Sequence, residues 1–210
     1  MSDWPQWLTG FAGASPLEWC ATLAGFLCVY LLIKRSIWNF AFGFVQVSIY
    51  AWIFFEVKLY SDMALHLFYV LFQIYGYSVW RQAQDQQGHV RVLRGTVREY
   101  LAWLAIAGFS ALCLGYIMAS YTDASLPYAD AFTTCASLVA QWLLSRKKCF
   151  NWLFWILVDV VAIGIYWHKQ LYPTALLYAC FLLMALIGQW QWFQALRKGD
   201  TSERAAPTSH

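Results

Sequence analysis

The sequence predicts an all-α, polytopic membrane protein with seven transmembrane helices, arranged as two parallel three-helix repeats around one connector (3+1+3). Three observations predict it. The chain of 210 residues is 61% hydrophobic and 12% charged, against roughly 45–50% and about 25% for a soluble domain. Apolar stretches of about 17–22 residues recur, each long enough to cross a hydrocarbon core of about 30 Å. Residues 31–80 also align without a gap on residues 143–192, an offset of 112 positions.

The stretches are 17–33, 38–55, 63–80, 99–120, 129–144, 151–167 and 174–193. Residues 1–16 contain Asp3 and no Lys or Arg, so the first apolar run lacks the basic flank of a signal peptide and is expected to follow a short extracytoplasmic segment. Residues 17–80 form the first repeat and 129–193 the second, with a polar loop and connector helix over 81–128 between them. Residues 194–210 are expected to be a disordered cytoplasmic tail. In the alignment Leu31, Leu32, Asn39, Phe42, Leu59, Tyr60, Gly76 and Trp80 fall on Leu143, Leu144, Asn151, Phe154, Leu171, Tyr172, Gly188 and Trp192. Lys34 and Arg35 fall on Arg146 and Lys147. Each repeat has an odd number of crossings, so direct fusion would invert the second copy. The inserted crossing restores its orientation, and the two halves are then related by an axis along the membrane normal.

Basic residues set the orientation. Lys34, Arg35, Arg81, Arg91, Arg94, Arg98, Arg146, Lys147, Lys148, Arg197, Lys198 and Arg204 fall on one side, and only Lys58 and Lys169 on the other. The basic side is expected to be cytoplasmic, which puts the N-terminus outside and the C-terminus inside a plasma (inner) membrane. The net charge of +3 is therefore a topology signal and gives no nucleic-acid footprint. Six scattered cysteines without a Cys-x-x-Cys pair give no metal or cofactor site. Hydrolase, metalloprotease and phosphate-loop motifs are missing, so the chain does not read as an enzyme. Trp38, Trp80, Trp167 and Trp192 lie near span ends, as expected of interfacial belts.

Asp159 is the one carboxylate well inside a crossing. A charge there costs about 2.5–3.5 kcal/mol even on the mildest insertion scale, which makes it a functional candidate. Trp152, Trp155 and Asp159 share one helical stripe that begins at Asn151. Two indole faces beside a carboxylate suit a flat cationic ring, through stacking, cation–π contact and charge balance. The alternative is that Asp159 accepts hydrogen bonds from a neighbouring Ser, Thr or Tyr and fastens the bundle. Asn39, Phe42, Gln46 and Tyr50 form a second stripe; His66, Tyr69, Gln73 and Tyr77 a third. Their amides could bind hydroxyls or a carboxamide, or bond between helices. Thr133, Thr134, Ser137 and Gln141 form a weaker polar stripe, and Tyr178 is a candidate on the last crossing.

The run Asn151-Trp152-Leu153-Phe154-Trp155-Ile156-Leu157-Val158-Asp159 resembles the substrate-binding helix of the Pnu family of vitamin transporters. Gly188-Gln189-Trp190-Gln191-Trp192, Leu59-Tyr60-Ser61-Asp62 and Gln73-Ile74-Tyr75-Gly76-Tyr77-Ser78-Val79-Trp80 extend the resemblance over about residues 17–193. It implies a fold similar to the SWEET sugar transporters, often trimeric, and facilitated diffusion of a vitamin that a cytoplasmic kinase then traps by phosphorylation. The implied binding set is Trp152, Trp155, Asp159 and Gln73, to which the polar stripes add Gln46, Asn39, Asn151 and Tyr69. The family's commonest substrate, nicotinamide riboside, and its alternative, thiamine, are both aromatic cations that a carboxylate suits. Some nicotinamide riboside transporters carry Asn at the position of Asp159. A neutral sugar would make poor use of the acid and the indoles.

Overall fold

The structure, a computed structural model, describes residues 15–56, 58, 60–83, 90–122 and 124–205. Most of the expected extracytoplasmic segment and the end of the expected tail lie outside them. Seven helices follow in order: α1 (Pro16–Ile33), α2 (Asn39–Glu56), α3 (Tyr60–Arg81), α4 (Val97–Tyr121), α5 (Pro127–Ser145), α6 (Asn151–His168) and α7 (Tyr172–Ala205). Among the described residues there is no β-strand, and Leu93 pairs with Lys148 in an isolated bridge. The chain is all-α and crosses the membrane several times. By length and composition alone, α1, α4, α6 and residues Tyr172–Arg197 of α7 can each cross. The remaining helices, of 18, 22 and 19 residues, match them in length. Their lower hydropathy comes from polar side chains such as Gln46, Gln73 and Gln141, two of which are buried. The last helix runs on through Ala205, so residues 194–205 are helical where composition suggested a disordered tail.

The helices begin where local chemistry says they should. Ser15 and Glu18 form a capping box at α1, followed by Pro16 in the first turn. Thr96 and Glu99 do the same for α4. Polarity across the bundle is reversed relative to a soluble protein. Leu23, Leu71, Phe109 and Leu112 are exposed, while Gln73, Ser137, Gln141 and Asp159 are buried. The apolar exterior faces lipid, and the polar groups face one another.

The duplication is visible in the backbone. α1 stops with Arg35 in the left-handed region at φ 58° and α5 stops with Lys147 at φ 61°. The same pair of bonds closes both ends. The Arg35 and Lys147 amides donate to Leu32 and Leu144, and those of Ser36 and Lys148 to Leu31 and Leu143. This is the Schellman arrangement. Left-handed residues recur at Lys58 and Gln170, after α2 and α6, again 112 positions apart. Within each repeat the helices pack sequentially, α1 on α2 on α3 and α5 on α6 on α7; the repeats meet through α3 with α5 and α1 with α7. These two seams are equivalent under the alignment, so the halves are related by a pseudo-twofold axis and point the same way.

The connector α4 lies on α5. The segment before α4 is fastened to the second repeat: the Leu93 amide donates to Lys147, the Cys149 amide donates to Leu93, and Lys148 Nζ lies 3.0 Å from Glu99. Val90 and Val92 enter the core beside Trp80 and Trp192.

Glycine brings α6 and α7 together at one point. A Cβ on Gly188 would lie 2.5 Å from the Trp152 indole, whereas one on Gly164 would meet nothing within 4 Å. Gly188→Ala should therefore cost about 1–3 kcal/mol through overpacking, and Gly164→Ala should be neutral or stabilising. Thermal unfolding of the detergent-purified variants measures both; equal effects would contradict the packing described.

Candidate functional site

Asp159 lies roughly 12 Å along α6 from Asn151 at 1.5 Å per residue. Asp159 is 4% exposed. No hydrogen bond or ion pair reaches its carboxylate from any described residue. The bland reading of this acid, a fastener between helices, has no partner to support it. Tyr178 of α7 lies within electrostatic reach of Asp159 and of Tyr69, and is hydrogen-bonded to Tyr166. Their rings stack at 5.2 Å. Tyr69 of α3 in turn shares a 2.5 Å hydrogen bond with Ser137 of α5 across the seam. Tyr178 thus stands between Asp159 of its own repeat and Tyr69 of the other.

Two glutamines of the first repeat pack their amides against glycines. Gln73 packs its amide into a notch at Gly43, where a Cβ would lie 2.5 Å from Nε2, and Gln46 does the same at Gly25 with 2.6 Å. The Oε1 of Gln73 is buried without a partner. An orphaned carbonyl in a bilayer interior costs about 1–3 kcal/mol, a cost that a ligand donor could offset. Trp155 is half-buried and packs against both apolar clusters. Its indole is the aromatic wall nearest the acid in sequence, one turn away.

The structure assigns three of the predicted residues to architecture. Asn39 and Asn151 lie at the first turns of α2 and α6, each donating to the backbone three residues earlier, Ser36 at 2.6 Å and Lys148 at 2.8 Å. They hold the turns between helices, well away from the level of Asp159. Trp152 is 1% exposed, with its ring over Gly188 and edge-on to Trp192 at 5.7 Å. Its indole Nε1 is buried without a partner. Periodicity cannot see this packing, because Trp192 arrives from another helix. His66 is absorbed in an aromatic cluster with Tyr50, Phe54 and Tyr69. Trp80 and Trp192, expected in interfacial belts, are fully buried instead.

An apolar depression between α4 and α5, lined by Gly108, Ala111, Leu112, Tyr128 and Phe132, offers no charged side chain. Among the described residues no group of His, Cys, Asp and Glu could hold a metal ion.

Two parallel three-helix repeats of apolar helices, with an acid and an amide oxygen buried without partners among the described residues, define a membrane transporter. The chain belongs to the nicotinamide mononucleotide transporter family, which it matches over residues 15–194. It is 27% identical to the nicotinamide riboside transporter PnuC of Escherichia coli K12, over 89% of this chain and 90% of that one. It is 29% identical to PnuC of Neisseria mucosa, over 91% and 81%. The riboflavin/roseoflavin transporter RibM of Streptomyces davaonensis is 22% identical, over 84% of each chain. The crystal structure of the vitamin B3 transporter PnuC superimposes with a TM-score of 0.74 at 28% identity, covering 91% of this chain and 86% of that one.

Two substitutions separate the site from the scaffold. Tyr69→Phe removes one neutral hydrogen bond and should cost about 1 kcal/mol. Asp159→Asn breaks no bond to a described residue and relieves a desolvated charge, so its unfolding temperature should equal or exceed the parent's. A large loss of stability in Asp159→Asn would reveal a structural partner.

Proposed function

We propose that the protein mediates facilitated uptake of nicotinamide riboside, with the Asp159 carboxylate balancing the pyridinium charge. The observation that carries this reading is the buried acid that no described residue pairs. An ionised carboxylate in a low-dielectric interior favours a cation and penalises a second anion. That chemistry separates the riboside from its phosphorylated mononucleotide, whose phosphate would lie close to an unneutralised carboxylate. Trp155 stacks the ring, and Gln73 Oε1 accepts from the carboxamide N–H or a ribose hydroxyl. Gln46 and Tyr69 supply further polar contacts. The relatives named for nicotinamide riboside support the choice of substrate, and the match to RibM supports a family that carries flat, aromatic vitamins.

The biased distribution of Lys and Arg supports a plasma-membrane orientation with the basic end in the cytoplasm. There a kinase phosphorylates the riboside, and the added phosphate both removes it from the equilibrium and makes it a poor ligand for return. Transport then needs no cofactor and no ion coupling. Three copies assemble into a trimer through their lipid-facing helices.

Uptake of labelled nicotinamide riboside, thiamine and riboflavin into proteoliposomes tests the assignment. The expected result is saturable uptake of nicotinamide riboside, unaffected by an uncoupler and reduced at least tenfold by Asp159→Ala. Undiminished uptake in that variant would remove Asp159 from the site, and faster uptake of thiamine or riboflavin would reassign the substrate.

A further inference from the structure

At the basic end of the bundle the two repeats exchange identical bonds. Trp80 Nε1 of α3 donates to the carbonyl of Leu144 at 3.2 Å, and Trp192 Nε1 of α7 donates to that of Leu32 at 3.1 Å. Donors and acceptors are both related by the 112-residue offset, so the pair is reciprocal. Both indoles are 0% exposed. They contact each other at 6.0 Å, and each is met edge-on from its own repeat, Trp80 by Phe40 at 5.1 Å and Trp192 by Trp152 at 5.7 Å. Four aromatic rings thus close the end of the bundle below Asp159.

We propose that this reciprocal pair of indole-to-carbonyl bonds is the gate at the basic end, and that both bonds part together when the repeats separate to release substrate. The inference rests on the transporter reading but deepens it by assigning Trp80 and Trp192 a role in the transport step.

The acceptors explain why such a lock can open. Leu32 and Leu144 lie in the last turns of α1 and α5, and each carbonyl already accepts from the left-handed residue of its helix stop, Arg35 or Lys147. The indole uses the second lone pair. When the gate opens, water can take that place at a helix end without unwinding a turn. Each bond is worth about 1 kcal/mol net, a scale compatible with cycling between two states. The opposite end of the bundle is built differently. Its equivalent aromatic pairs, Phe54 with His66 at 5.0 Å and Tyr166 with Tyr178 at 5.2 Å, each lie within one repeat. They are half-buried. Trp152 extends the seal into α6, being edge-on to Trp192 and one turn from Trp155.

Cys149 provides a native reporter. It lies in the same apolar cluster as Trp80 and Trp192, and burial pushes its thiol up to about 11. It is unreactive while the gate is shut. In a background with the other cysteines except Cys135 replaced, maleimide labelling of the purified protein without substrate reads the opening at Cys149. Cys135, buried in α5, reports general loosening. Trp80→Phe and Trp192→Phe keep an aromatic ring and delete the donor. Each should raise Cys149 labelling about fivefold, by nearly equal factors, and the double variant about 25-fold, the value for two bonds of this size. Cys135 labelling should not change. Rates at Cys149 within twofold of the parent in all three variants, or a parallel rise at Cys135, would overturn the gate. Because no substrate is present, that failure is separable from a wrong substrate assignment.

Discussion

A bilayer interior offers no water to pair with polar groups, so every buried donor, acceptor and charge in this bundle must be matched inside the protein or be left for something that enters it. Most are matched, and by a rule applied twice. Both repeats stop their first helix with a left-handed residue, open the second with an asparagine that bonds back to the turn, and end the third with a tryptophan that reaches into the other repeat. The helix ends and the seams between the halves are therefore symmetric, and the pseudo-twofold relation follows from satisfying the same groups twice.

Where the symmetry fails, the chemistry changes. Asp159 stands opposite Val47, Trp155 opposite Gly43, Gln73 opposite Ala185, Gln46 opposite Val158 and Tyr69 opposite Phe181. In each pair one repeat carries an apolar or missing side chain where the other carries a polar or aromatic one. On the proposed function, a single asymmetric ligand accounts for the loss of symmetry at these positions. Asn39 with Asn151, and Phe40 with Trp152, keep the same chemistry in both copies and hold the scaffold. The alignment therefore sorts architecture from site better than helical stripes do, and it sets Asp159, Trp155 and Gln73 apart from Trp152.

Much of the fold was legible in the sequence because bilayer thickness forces long apolar runs, whose ends fall within a few residues of the helix ends from α1 to α6. The continuation of α7 to Ala205 was hidden, since its last turns are polar and outside any apolar run. The site was legible in part. Asp159 stood out by the cost of its burial, and Trp155 and Gln73 by their spacing from it or along the neighbouring stripe. Trp80 and Trp192 were misplaced in the interfacial belt because position along a helix cannot distinguish an indole that snorkels from one that crosses to a neighbouring helix. Their shared register was the one available signal that they act as a pair.

On the proposed function, the unpartnered Asp159 carboxylate recognises the charge of the ligand as well as its shape. Nicotinamide riboside and its dihydro form, which differ by a hydride and a positive charge, test it directly in calorimetric titrations of the purified protein and of Asp159→Asn. The parent should bind the cation at least tenfold more tightly, about 1.4 kcal/mol, and Asp159→Asn should lose that preference. Equal affinity of the parent for both forms would contradict the account.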